Sequence, residues 1–115
     1  MLTLSENCKT VETCIQNGKG VCTIKHLTDK EGMYGHGRMY AQVTIPVGCS
    51  IGDHPHVDET EFYYIVKGQG IFNDNGTDRP VKVGDICATG YGETHGLTNS
   101  GEEDLVIMAL IVLDN

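Results

Sequence analysis

Glycine punctuation constrains this chain more than any other feature. Fifteen of its 115 residues are glycine, spread between short segments rich in Val, Ile, Thr and Tyr. Segments of that length and composition, interrupted by residues that accept turn conformations, build strands and tight turns rather than helices. No long amphipathic helix pattern competes. Strands are expected over 21–25, 38–45, 52–56, 61–66, 70–73, 79–83, 86–89, 93–99 and 105–113. Asn73-Asp74-Asn75-Gly76 offers the residues that a two-residue hairpin turn demands. A calcium loop built on the same residues would need further oxygens at fixed offsets and a glutamate at its twelfth position, which is absent. Pro46-Val47-Gly48 and Val83-Gly84-Asp85 mark turns that end one strand and launch the next. The regular turn spacing predicts an all-β fold, a small barrel or sandwich. Residues 1–20 read as an N-terminal arm or short strand or helix segment, and 21–115 as the barrel domain.

One domain is the expectation for a chain of this length. Its 16 acidic against 8 basic residues give a net charge of -8, which repels phosphate backbones and anionic lipid, so neither nucleic acid nor membrane is an expected partner. No apolar run approaches the roughly 20 residues of a membrane helix. The start lacks the basic and apolar regions of a signal peptide, and a cytoplasmic location is expected. Five cysteines form no Cys-x-x-Cys pair; they read as reduced thiols, and none is assigned a role.

The chemistry concentrates in the histidines. On a strand, His54 and His56 project from one face about 6.6 Å apart along the backbone, while Pro55 faces the other way and marks a short or terminal strand. After the turn Val57-Asp58-Glu59-Thr60, Glu61 opens the next strand and can return to the same point. If Glu61 points inward, so do Tyr63 and Ile65, with Phe62, Tyr64 and Val66 opposite. Glu59 is the alternative carboxylate should the turn be shorter. His95 is the fourth candidate ligand; His26 and His36 have no partner at ligand spacing. Three imidazoles and a carboxylate suit Mn, Fe, Co, Ni, Cu or Zn, and mixed N/O donors without thiolate favour Mn or Fe, with Ni, Zn, Co or Cu as substitutes. An octahedral ion held this way keeps two positions for other ligands.

These residues carry a resemblance. Gly48, five residues, His54-Pro55-His56, four residues, Glu61, six residues and Gly68 fit the first cupin motif at every fixed position. Gly84, five residues, Gly90-Tyr91-Gly92, two residues, His95, three residues and Asn99 fit the second, with Gly90 where the family usually has proline. The 15 residues between Gly68 and Gly84 resemble the short spacing of compact microbial cupins. The resemblance implies a double-stranded β-helix, or cupin jelly-roll barrel, in which His54, His56, Glu61 and His95 bind a divalent metal. It also implies a homodimer, often with exchanged N-terminal strands; the apolar residues on both faces of 105–113 agree with a strand buried on both sides.

By the same resemblance, to cupins of the oxalate-decarboxylase type, the expected function is that of a metal-dependent enzyme, decarboxylase- or dioxygenase-like, acting on a small carboxylate or oxygenated metabolite. Tyr63 and Glu93, sharing the inferred inward phases of Glu61 and His95, are the candidate proton donors or supporting residues. Arg38, on the Arg38-Tyr40-Gln42-Thr44 face, is a further candidate for a substrate carboxylate. The cupin fold also hosts non-catalytic binders of small acids or sugars, and sugar isomerases. A phosphosugar isomerase would want a basic cluster, of which the acidic composition gives little sign.

Overall fold

The structure, a computed structural model, describes residues 1–114. After a short 3-10 turn at Ser5–Asn7 the chain forms β1 (Lys9–Thr13), β2 (Cys22–Thr28), β3 (Gly37–Ile45), β4 (Ser50–Pro55), β5 (Glu59–Lys67), β6 (Gln69–Asp74), β7 (Thr77–Lys82), β8 (Ile86–Thr89), β9 (Thr94–Asn99) and β10 (Leu105–Leu113). Every pairing is antiparallel, in a six-stranded sheet ordered β1-β2-β3-β10-β5-β8 and a four-stranded sheet ordered β4-β9-β6-β7. The fold is all-β, a double-stranded β-helix.

Strand alternation builds the core. β10 lies between β3 and β5, and its Leu105, Ile107, Ala109 and Ile111 point inward. They meet Val43 and Ile45 of β3 and Ile65 of β5, while Ile51, Phe72 and Leu97 come from the opposite sheet. The outer face of β10 (Val106, Met108, Leu110, Val112) is only half-buried, so the expected burial on both sides is not found within one chain.

Three boundaries differ from the sequence reading in ways that matter at the site. β4 ends at Pro55 rather than His56, which lies just beyond the strand. β5 starts at Glu59 rather than Glu61, because Glu59 and Thr60 already pair with Leu113 and Val112 of β10. The reversal is therefore shorter, with Asp58 in the left-handed region at φ 59°. β9 starts at Thr94, leaving Glu93 in the preceding turn. Within the first twenty residues, β1 pairs with this chain's own β2, from Lys9 opposite His26 to Thr13 opposite Cys22.

The β6–β7 hairpin turns where expected: Asp74 pairs with Thr77, and Asn75 and Gly76 take φ of 52° and 92°, the two positive values of a type I′ turn. Asn75 also fixes the tip to β9, its side-chain oxygen accepting from the Thr94 N–H at 2.8 Å. Gly76→Ala should cost roughly 1–2 kcal/mol from backbone strain alone, since an added methyl there meets nothing within 4 Å. Urea unfolding checks this, and an unchanged midpoint would contradict the strain.

Candidate metal centre

The two sheets bring the site together from strands far apart in sequence. His54 on edge strand β4 lies opposite His95 on β9, past an irregularity in the pairing between Ile51 and His54. Gly96 permits this approach, because a Cβ on it would fall 2.0 Å from Asp53 Oδ1. Pro55 ends β4, and the next residue is held by the backbone: His56 N–H donates to Glu93 O at 3.1 Å and His56 O accepts from Gly92 N–H at 2.8 Å. From the facing sheet, β5 sends in Glu59, Glu61 and Tyr63, all on its buried face. Glu61 pairs with Thr89 of β8, which brings the threonine hydroxyl beneath the cluster.

Each imidazole is fixed through Nδ1. His54 Nδ1 lies 2.7 Å from Gly52 O, His56 Nδ1 lies 2.5 Å from Glu59 Oε2, and His95 Nδ1 lies 2.7 Å from Thr89 Oγ1. A carbonyl and an ionised carboxylate only accept, so His54 and His56 each carry a proton on Nδ1 and turn Nε2 toward the cluster. Burial, first, and the neighbouring His95 and His56 lower the pKa of His54 against the pull of the Gly52 carbonyl and Glu61, which favours its neutral form.

The Nε2 atoms converge. His95 Nε2 is 3.0 Å from His56 Nε2 and 3.1 Å from His54 Nε2. Glu61 Oε1 stands 3.0 Å from His56 Nε2, 3.1 Å from His95 Nε2 and 4.0 Å from His54 Nε2. Three imidazole nitrogens and one carboxylate oxygen, all within 4.8 Å of one another, are the mixed donor set that a divalent transition metal takes. These residues therefore fit a divalent ion, which they would hold through His54, His56, His95 and Glu61. Among the described residues this is the one cluster of its kind.

Tyr63 is buried and stacks on His95, ring centroids 4.7 Å apart, with its hydroxyl 3.3 Å from His95 Nε2. Burial and the Glu61 charge raise its pKa well above the ordinary tyrosine value, so it remains an O–H donor. Glu93 is not brought to the cluster. It is exposed, and its carboxylate accepts from Gly90 N–H at 2.8 Å and Asn75 Nδ2 at 2.9 Å. The expectation that it shares the inward phase of His95 gives way to a role bracing the Gly90–Gly92 turn.

Glu59 also faces inward, but its oxygens meet Arg38 and His56 Nδ1, on the other side of the imidazole from Nε2. Arg38, first, and then His56 hold its carboxyl down at about 2. Sequence reasoning missed this role because it placed Glu59 in a turn; starting the strand two residues earlier would have put it in phase with Glu61. Thr89 carried no sequence signal at all, since its function comes from pairing across β5 and β8. Arg38 lines a cavity of about 230 Å³ together with His54, His56, Glu61 and Tyr63. The cysteines lie outside the cluster as free thiols, and burial raises Cys22 and Cys87 to about 11.

Comparison with known proteins matches residues 41–112 to a family model described as "Cupin domain". The chain is 44% identical over 99 residues to a protein of Thermotoga maritima named "Oxalate-binding protein", covering 86% of this chain and 82% of the relative. It superposes with a TM-score of 0.93 on the crystal structure of a predicted oxalate decarboxylase from Thermotoga maritima, at 40% identity over 98% of this chain and 99% of that one. A Klebsiella pneumoniae protein with a double-stranded β-helix domain shares the fold, with a TM-score of 0.69 at 20% identity over 80% of this chain and 76% of that one.

Proposed function

This chain belongs to the cupin family, and from that premise we propose that His54, His56, Glu61 and His95 hold a divalent transition metal, Mn or Fe first, in a pocket that takes a small dicarboxylic acid of the oxalate class. The observation that carries this reading is the convergence of three imidazole nitrogens and one carboxylate oxygen on one buried point. When bound, such an ion offers positive charge and open positions to substrate oxygens and stabilises negative charge that develops there. The Thermotoga relative named for oxalate binding supports the choice of acid.

The rest of the pocket supports the same choice. A cavity of about 230 Å³ equals the liquid volume of roughly eight waters, room for an acid of a few heavy atoms. Arg38, its one cationic wall, is already paired with Glu59, so a phosphate clamp of the kind a phosphosugar isomerase would use is lacking in this cavity. Tyr63 favours an enzyme over a passive binder: a decarboxylase-type reaction must deliver a proton to the carbon that loses carbon dioxide, and the Tyr63 O–H faces the donor cluster. Calorimetric titration of oxalate and of acetate into Mn²⁺-loaded and metal-free protein tests the reading. Oxalate should bind the loaded protein at least about tenfold more tightly than acetate, since two carboxylates can engage where acetate offers one. Equal oxalate binding with and without metal would contradict it.

A homodimer is part of the same proposal. Tyr40, Phe62, Tyr64, Ile86, Met108 and Leu110 line a shallow, mostly apolar groove on the six-stranded sheet, and a second copy would remove that surface from water. Light scattering should give a dimer mass for the native chain and a monomer mass for Tyr64→Lys; a native monomer would refute the pairing.

A further inference from the structure

The three imidazoles of the cluster are not held alike. His54 leans on a peptide carbonyl and His95 on a hydroxyl, both neutral, whereas His56 leans on a carboxylate. That carboxylate is itself gripped: Arg38 Nε donates to Glu59 Oε1 at 2.7 Å and Arg38 Nη2 donates to Glu59 Oε2 at 2.8 Å, the two-pronged geometry that fixes a carboxylate plane. Glu59 and Glu61 lie two residues apart on the buried face of β5, where two unpaired carboxylates would repel each other. Pairing with Arg38 settles that competition and leaves Glu61 as the carboxylate turned toward the Nε2 atoms.

Resting on the reading of this cluster as a metal centre, we propose that Glu59 is a positioning residue, anchored by Arg38, which keeps the proton of His56 on Nδ1, turns Nε2 toward the other donors and makes His56 the strongest of the three imidazole donors. A carboxylate that accepts the distal ring proton pushes electron density toward the opposite nitrogen, which neither a carbonyl nor a hydroxyl does to the same degree. The chain Arg38–Glu59–His56 thereby ties a partly exposed residue of the cavity lining to one proposed metal ligand. Because the Arg38 and Glu59 charges cancel, it does so without altering the site's net charge.

The test uses the whole chain, ¹⁵N-labelled and metal-free. Long-range ¹H–¹⁵N spectra read the tautomer of each histidine, and Mn²⁺ alone is then titrated into the same samples. Wild type should show His56 as Nδ1–H. Glu59→Ala should abolish that preference and weaken Mn²⁺ binding by roughly 10- to 100-fold. Glu59→Gln, whose amide oxygen still accepts, should keep the tautomer and lose less affinity, which separates positioning from misfolding. Arg38→Met should change Mn²⁺ affinity less than Glu59→Ala, since Arg38 acts through Glu59. A His56 with no proton on Nδ1 in the wild type, Glu59→Ala within twofold of wild type, or a larger loss in Arg38→Met would each overturn the proposal. A wild type that binds no Mn²⁺ would instead refute the metal centre, while the tautomer spectra still decide the positioning.

Discussion

Replacing His95 with alanine is expected to reduce Mn²⁺ affinity by more than about 100-fold, beyond the roughly 10- to 100-fold that losing a supporting partner costs, while leaving the barrel folded. His95 is the hub of the cluster, with its Nε2 within 3.1 Å of both other imidazole nitrogens and of Glu61 Oε1. Its loss also frees Tyr63 from the stack and leaves Thr89 Oγ1 without the His95 contact. The apolar core formed by Val43, Ile45, Ile65, Leu105 and Ile107 is built without it. Calorimetric Mn²⁺ titration beside circular dichroism checks both halves. Undiminished affinity would remove His95 from the ligand set, and a lost β spectrum would show that the site and the fold are not separable. On the same logic Glu61→Gln should weaken Mn²⁺ binding more than Glu59→Gln; the reverse order would make Glu59 the ligand.

The second large effect lies in the core. Ile107 is fully buried near the start of β10, paired with Val43 on β3 and Ile65 on β5. Ile107→Ala deletes three carbons where neighbours on both strands are fixed by sheet hydrogen bonds and cannot close the gap. It should cost about 3 kcal/mol, within the range of roughly 2–5 kcal/mol for such truncations. Urea unfolding measures this; a loss below about 1 kcal/mol would mean that the sheets collapse around the cavity far more freely than a packed interior allows. Mn²⁺ affinity measured well below the unfolding midpoint should be unchanged, the converse of His95→Ala.

The contrast between these two substitutions reflects what the sequence made legible. Period-2 burial is a local property, so β8 and β10 were readable to the residue, and so was the inward phase of Glu61, Tyr63 and Ile65. The Asn75-Gly76 turn was readable for a similar reason, because few residues accept two positive φ values in succession. His54 and His56 stood out by their spacing, although β4 ends at Pro55 and His56 is held beyond it by Gly92 and Glu93. β1 was obscure: its five residues Lys-Thr-Val-Glu-Thr place only Val11 and Thr13 in partial shelter, too weak a pattern to distinguish an edge strand from an arm. The start of β5 was misplaced because Val57-Asp58-Glu59-Thr60 has turn composition, yet Asp58 takes the left-handed conformation and pairing with β10 recruits the following two residues.

What sequence could not show is what depends on contacts between strands. Thr89 reaches His95 because β8 pairs with β5, and Arg38 finds Glu59 across 21 residues. Neither pairing leaves a spacing that a reader could count. Glu93 illustrates the opposite error, in which a residue two positions from a ligand is granted the ligand's phase although the strand has not yet begun.

The central claim, that four side chains from β4, β5, β9 and the loop after β4 hold one metal ion, is tested most directly by the metal content of the purified protein. Untagged chain from cells supplied evenly with Mn, Fe, Co, Ni, Cu and Zn, analysed by elemental mass spectrometry before and after reconstitution with Mn²⁺, should carry close to one ion per chain, and the His54→Ala/His95→Ala double variant should carry almost none. Wild-type protein that stays metal-free after reconstitution, or a double variant that retains a full complement, would contradict it.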